Sequence, residues 1–180
     1  MVEAALTLAD RGGLDAVTMQ SVASALGVTP MAIYRHVADK AALLDGLVGR
    51  LLMEVGRPEP ELPPREQLLA MARALREVGG RHPAVFPLLL TRPAATPAAL
   101  EVRESVLRAL ELDGIPAERA AQLERLISTA VLGFVASEVA GRFRDHTSRV
   151  VDEDFERLLE MLDGFVDGDA GGRVPHPGGG

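Results

Sequence analysis

Apolar residues recur along most of the chain at intervals of three and four, the period of amphipathic helices, and few β-branched runs interrupt them. Val2, Ala5, Leu6 and Ala9 share one face of a short helix over about residues 2–10. Arg11-Gly12-Gly13 stops it, because paired glycines end helices readily. Thr18 offers its hydroxyl as an N-cap to a second helix, whose inward positions are Val22, Ala23 and Leu26. Gly27 closes that helix in the left-handed conformation. A third short helix runs from Thr29 or Pro30 to His36. Thr29 is its cap, and Pro30 occupies the first helical position, where no N–H is needed. Ile33 and Val37, four residues apart, point inward. Asp39 caps a fourth helix striped by Leu43, Leu44, Leu47, Leu51 and Val55. Gly56 and the segment RPEPELPP end it, since four prolines between 58 and 64 cannot continue a helix.

Five further helical segments follow. One covers about 65–79, with Leu68, Leu69, Ala72, Leu75 and Val78 inward and Gly79-Gly80 as its stop. A short one after His82-Pro83 carries Val85, Phe86, Leu89 and Leu90. TRPAATP reads as a turn, and Thr96-Pro97 restarts a helix to about Leu112. Asp113-Gly114-Ile115-Pro116 separates this from the longest helix, about 117–143. The last spans about 152–166, with Phe155, Leu158, Leu159, Leu162, Phe165 and Val166 on one face. The expected architecture is all-α. A head at 1–56, three helices plus a connecting fourth, joins a helical body at 57–168, and 169–180 forms a disordered tail without apolar periodicity.

Composition narrows the function. The chain is 47% hydrophobic and 25% charged, enough for a real core, and only 3% aromatic. No apolar stretch is long enough to span a membrane, and no basic region precedes the first apolar residues, so a cytoplasmic protein is expected. The absence of cysteine excludes disulfides and thiol chemistry. The four histidines, at 36, 82, 146 and 176, form no spaced metal pair. The serines at 105, 128, 137 and 148 lie on helical patterns rather than on a strand-turn-helix elbow. Neither an enzyme nor a metal site is expected. The net charge of −7 argues against indiscriminate nucleic-acid binding, and even the first 56 residues are not basic.

The chemistry concentrates in residues 18–40. Two short helices joined by a tight turn at Gly27-Val28 stand at a steep angle, so the second can enter a major groove about 12 Å wide while the first clamps the backbone. Thr29, Pro30, Met31 and Ala32 at the start of that second helix are small or apolar, which permits close approach to base edges and thymine methyls. Tyr34 and His36 can donate to phosphates, and Arg35 reaches either a guanine or a phosphate. Lys40, the sole lysine in the chain, can pair with a phosphate at the N-terminus of the fourth helix.

The run L26-GVTPMAIYRHVADKAALLDGL resembles the DNA-binding domain of the TetR family of repressors. The resemblance rests on the Gly27-Val28 turn, Tyr34 and His36, Lys40 and Leu43-Leu44, and it covers about residues 2–55. It implies an all-helical homodimer that reads double-stranded DNA at a palindromic operator, with a ligand-binding and dimerisation body behind. By position it makes Thr18, Tyr34, His36 and Lys40 phosphate contacts and Gln20, Pro30, Met31 and Ala32 base contacts, with Arg35 beside them. Two departures stand out. The family usually carries several residues, often basic, before the first helix, and Met31 and Ala32 offer no hydrogen bonds, so readout there would rest on shape and methyl contacts.

In the body, Leu126, Val131 and Val135 of the long helix, with Phe155, Leu159 and Leu162 of the last, suit a four-helix dimer interface. Burial of both helices within one subunit is the alternative. Met71, Leu75, Phe86, Leu89 and Phe134 are candidates for an apolar cavity holding an apolar or amphipathic small-molecule effector, though each alone is ordinary core. His82 could hydrogen-bond such a ligand or simply start a helix. Glu138 could contact it or form a dimer salt bridge. No other cofactor is expected. The tetracycline-responsive members of the family carry histidines just after the fourth helix. Here that region reads Val55-Gly56-Arg57-Pro58, which disfavours tetracycline with magnesium. A different class of function is a helical protein-interaction module with a weak or vestigial DNA-binding head.

Overall fold

The computed structural model describes residues 1–92 and 96–170, with side chains as far as 166. Among these all the regular structure is helical: α1 (Val2–Gly12), a 3-10 turn (Leu14–Ala16), α2 (Met19–Leu26), α3 (Pro30–Tyr34), α4 (Lys40–Val55), α5 (Pro64–Arg81), α6 (Leu88–Thr91), α7 (Pro97–Leu112), α8 (Ala117–Val139) and α9 (Ser148–Ala170). Helices α1–α3 make an N-terminal helix-turn-helix head, and α4 joins it to a C-terminal helical body.

The boundaries follow local chemistry. Thr18 and Ser21 form a reciprocal capping box: the Ser21 N–H donates to Thr18 Oγ1 at 3.0 Å and the Thr18 N–H to Ser21 Oγ at 2.9 Å. Gly27 ends α2 at φ 67°, ψ 29°, the left-handed geometry a side chain would resist. Thr29, Asp39 and Thr96 accept from the N–H groups of Ala32, Ala42 and Ala99, capping α3, α4 and α7.

One apolar cluster runs from Ala5, Leu6, Ala9, Val22 and Ile33 in the head, through Leu43, Leu47 and Leu51 of α4, to Val78, Phe86, Val135 and Phe155 in the body. A smaller cluster of Leu110, Ile115, Ala120, Leu123 and Val166 closes the far end. Between them Arg65 pairs with Asp113 and, at 2.9 Å, with Asp163, tying α5 to α9 and to the end of α7.

Several expectations are corrected. Leu26, in the last turn of α2, is exposed rather than inward, as are Leu90 and Phe165. Helix α8 ends at Val139, short of Phe143, and α9 starts four residues earlier than the periodicity indicates, at Ser148. The tail expected from 169 begins within the last turn of α9, and its residues 171–180 lie outside the described ones, as do 93–95 of the expected turn. Gly79-Gly80 does not stop α5, which continues to Arg81. The reason is packing. A Cβ on Gly79 would lie 2.4 Å from Val135 Cγ1 and 3.1 Å from Phe86 Cδ2, so the glycine lets α5 and α8 approach closely.

The two neighbouring glycines therefore make opposite predictions. Gly79→Ala should destabilise the protein by about 1–3 kcal/mol through overpacking. Gly80→Ala, where nothing lies within 4 Å of the new methyl, should stabilise it by about 0.5–1 kcal/mol through helix propensity. Thermal unfolding of the two variants beside the parent measures both signs.

Candidate functional site

The capping pattern above presents one surface of the head. Thr18, Gln20, Thr29, Pro30, Met31, Tyr34, Arg35, His36 and Lys40 are all exposed, and Ala32 is half-buried beside the buried Ile33. Met31 is 71% exposed and Tyr34 50%, high values for side chains of their apolar area. The ten residues singled out from sequence thus lie within one stretch of α2, the turn, α3 and the start of α4. Gln20, Tyr34, Arg35, His36 and Lys40 take no side-chain hydrogen bond or ion pair among the described residues. Their polar groups remain available to an outside partner. No carboxylate occurs between Ala16 and Ala38, although the whole chain holds 26.

The joint between head and body is built differently. Arg50 of α4 donates to Glu3 of α1 at 2.8 Å and pairs with Glu54 at 2.7 Å. Glu54 also receives Arg81 at 3.0 Å and His82 Nε2 at 3.2 Å, from the end of α5. His82 Nδ1 sits 3.0 Å from both oxygens of Asp10 in α1. This cluster joins α1, α4 and α5, and sequence reading missed it because its members are far apart in the chain. It also engages His82, read as either a ligand contact or a helix start, between Asp10 and Glu54. A second tie joins Arg92 to Asp45 at 2.5 Å and to the Ala41 carbonyl at 2.9 Å. Close by in the same joint, Gly49 brings α4 against the capping residue Thr96, where a Cβ would lie 3.3 Å from Thr96 Oγ1.

Three clefts are notable among the described helices α4 to α9. The largest, about 590 Å³, opens between α5, α8 and α9 and is lined by Arg73, Arg76, Glu138, Val139, Phe155 and Glu156, among others. Arg76 forks onto Glu138 at 2.6 and 2.8 Å, reaches Asp152 at 2.7 Å and lies 4.8 Å above the Phe155 ring. Its pKa is raised well beyond its ordinary value, chiefly by the Glu138 hydrogen bond acting against burial, with Asp152 adding to it. A cleft of about 230 Å³ separates α4 from α7. A void of about 30 Å³ lies among Leu68, Leu69, Ile127 and Leu162.

Of the residues read as ligand-lining, Glu138 borders the largest cleft. Met71, Leu75, Phe86, Leu89 and Phe134 border none of the three. Phe86 is wholly buried against Gly79, and Leu75, Leu89 and Phe134 pack on the main core. The interface set is corrected similarly. Val131, Val135, Phe155 and Leu159 are buried inside the chain, where α5 packs on both α8 and α9 and those two helices pack on each other, so they are not available to a second subunit. Leu126 remains 55% exposed and Leu162 half-buried, and the outward positions of α9 include Met161 and Phe165, which sequence reading did not select.

A capped helix-turn-helix with a free outer face is thus carried on a helical body. Residues 1–47 match the model for bacterial regulatory proteins of the tetR family, and 68–162 match the tetracyclin repressor-like C-terminal domain. The chain belongs to the TetR family. It is 31% identical to the HTH-type transcriptional repressor DrrR1 of Streptomyces coeruleorubidus, over 97% of this chain and 65% of that protein. It is 33% identical to the class A tetracycline repressor of transposon 1721 from Escherichia coli, over 78% of this chain and 66% of that protein. The chain thus spans under two thirds of the first of these relatives. Among solved structures, Streptomyces coelicolor ActR in complex with actinorhodin superposes with a TM-score of 0.83 at 27% identity, covering 95% of each chain. Mycobacterium smegmatis BioQ superposes at 0.79 with 29% identity, covering 94% of this chain and 95% of that one. No described helix is long and apolar enough to cross a membrane, and no described cluster of His, Asp and Glu could hold a metal ion.

The joint has a defined pH response. Burial works against the Glu54 carboxylate, but hydrogen bonds from Arg81 and His82 and the charges of His82 and Arg50 outweigh it, so its pKa lies below the ordinary value. Unfolding restores that value. The ionised carboxylate therefore stabilises the fold at neutral pH, and this contribution is lost as pH falls through and below the glutamate range. Glu54→Gln should lower Tm at about pH 7, and the gap to the parent should close below about pH 4. Parallel thermal melts across that range measure it. A gap that persists in acid would assign the effect to packing rather than charge.

Proposed function

We propose that this protein is a ligand-responsive transcriptional repressor that binds a palindromic DNA operator as a homodimer and has no enzymatic activity. The carrying observation is the exposed, carboxylate-free face of α2 and α3, on a chain whose family models cover both the head and the body. Tyr34, His36, Lys40 and Thr18 contact phosphates in this reading, while Gln20, Met31, Ala32 and Arg35 face base edges, with Thr29 and Pro30 setting the approach of α3. Dimerisation uses the outer face of α8 and α9, where Leu126, Met161 and Phe165 are exposed apolar positions beside the half-buried Leu162. A C2 dimer sets the two reading helices about 34–36 Å apart, one turn of duplex.

The relatives' names and structures supply the effector part of the reading. ActR is described with actinorhodin, and an Acinetobacter baumannii TetR variant with minocycline. An apolar or amphipathic small molecule in the body of this chain would favour an arrangement whose heads no longer match the operator. Helix α4 is the transmitting element, through the ion cluster at His82 and the Gly49–Thr96 contact.

The deciding experiment is operator binding. Duplex fragments selected from the gene's own upstream region should be bound by the parent protein. The double variant Tyr34→Phe, Lys40→Ala should remain dimeric and bind more weakly, with the salt dependence reduced by about one unit for each phosphate no longer neutralised. Sedimentation checks the first point and binding at several salt concentrations the second. A separate variant, Met161→Glu with Phe165→Glu, should yield folded monomers with at least about tenfold weaker operator binding, since each isolated head has few cationic groups to offer.

A further inference from the structure

We infer that the head selects its half-sites by the 5-methyl groups of pyrimidines, with Met31 as the principal contact. This rests on the DNA-binding reading above and names the chemical group that is recognised. Leu26 at the end of α2, Val28 in the turn and Met31 in the first turn of α3 are all exposed apolar side chains within six residues of one another. Such a concentration marks a surface that meets a partner. The stretch around it, from Ala16 to Ala38, lacks any carboxylate and carries Arg35 and His36, in a protein of net charge −7. That local charge pattern suits a polyanion and would not suit a basic protein surface.

The hydrogen-bonding capacity of the patch then decides what it can read. Pro30 has no N–H, the Ala32 side chain neither donates nor accepts, and the Met31 side chain offers only a weakly accepting thioether sulfur and no donor. Ile33 is buried and inaccessible to a partner. The first turn of α3 therefore has no strong side-chain hydrogen-bonding group with which to read the donor and acceptor code of the major groove, and its side chains sense chiefly shape and apolar groups. The apolar group that the major groove displays is the C5-methyl of thymine. 5-Methylcytosine carries a methyl at the same ring position, so the same surface would distinguish methylated from unmethylated cytosine. Gln20 and Arg35, both exposed and unengaged, leave hydrogen-bonded readout to flanking positions.

The test uses the full chain and a duplex enriched from a random double-stranded library. Each thymine of the enriched half-site is replaced singly by deoxyuridine, which removes the methyl and leaves the pairing edge intact. Kd should rise about fourfold for each contacted methyl. Cytosine placed at such a position should bind better when 5-methylated. Met31→Gln changes an exposed side chain and should keep the fold and the salt dependence while bringing the thymine-to-uracil ratio to about one. Ratios within about twofold at every position would overturn the inference, as would a ratio that survives in Met31→Gln or a change of oligomeric state in that variant. Failure to enrich any duplex would instead overturn the DNA-binding reading, and the inference with it.

Discussion

Helix α4 is buried on more of its circumference than a surface helix can be. Leu43, Leu47, Val48, Leu51 and Leu52 are all withdrawn from solvent, and Gly49 is pressed against the cap of α7. An amphipathic helix satisfies one neighbour with one stripe. Here one side is taken by α1 of the head and the other by α5 and α7 of the body. The core on either side is therefore continuous, and packed cores do not deform gradually. Any rearrangement of the body that shifts α5 or α7 must carry α4 with it or open a void, which gives a physical basis for head and body acting as one unit.

Charge is organised around the same constraint. Arg50, Arg81 and Arg92 lie at the edges of α4 and engage carboxylates there, while Arg65, Arg73 and Arg76 bind α5 to its neighbours. Exposed pairs contribute little singly, but guanidinium forks fix geometry, and several of these are half-buried and shared. The reading face follows the opposite rule. Gln20, Tyr34, Arg35, His36 and Lys40 have no internal side-chain partner, while Thr18 and Thr29 are engaged only in capping, so little intramolecular bonding has to be broken before the face meets a ligand.

Much of this was legible in the chain. Thr18, Gly27, Thr29, Asp39 and Thr96 act through contacts three or four residues away, so local sequence contains the whole interaction. The reading face inherits that legibility, because short capped helices leave few choices for which side chains are outward. The departures came where a distant partner decides the outcome. Gly79 resembled a stop because the nearby Val135 and Phe86 that require it are 56 and 7 residues away along the chain. Val131, Val135, Phe155 and Leu159 have the periodicity of an interface, but periodicity reports that a face is apolar, not whether its cover comes from the same chain. The body's clefts were misjudged for a related reason. Large apolar side chains fill space, and the most spacious cleft described is lined instead by charged residues such as Arg73, Arg76 and Glu138.

The scarcity of lysine has a practical side. Every other basic residue in the chain is arginine, and Lys40 stands exposed at the first turn of α4, beside the reading face. Amine-directed reagents, which ignore guanidinium groups, would therefore find one lysine side chain in this sequence. A fluorophore or cross-linker attached there would sit at the junction of α3 and α4, turning the native sequence into a site-specifically labelled probe without an engineered cysteine.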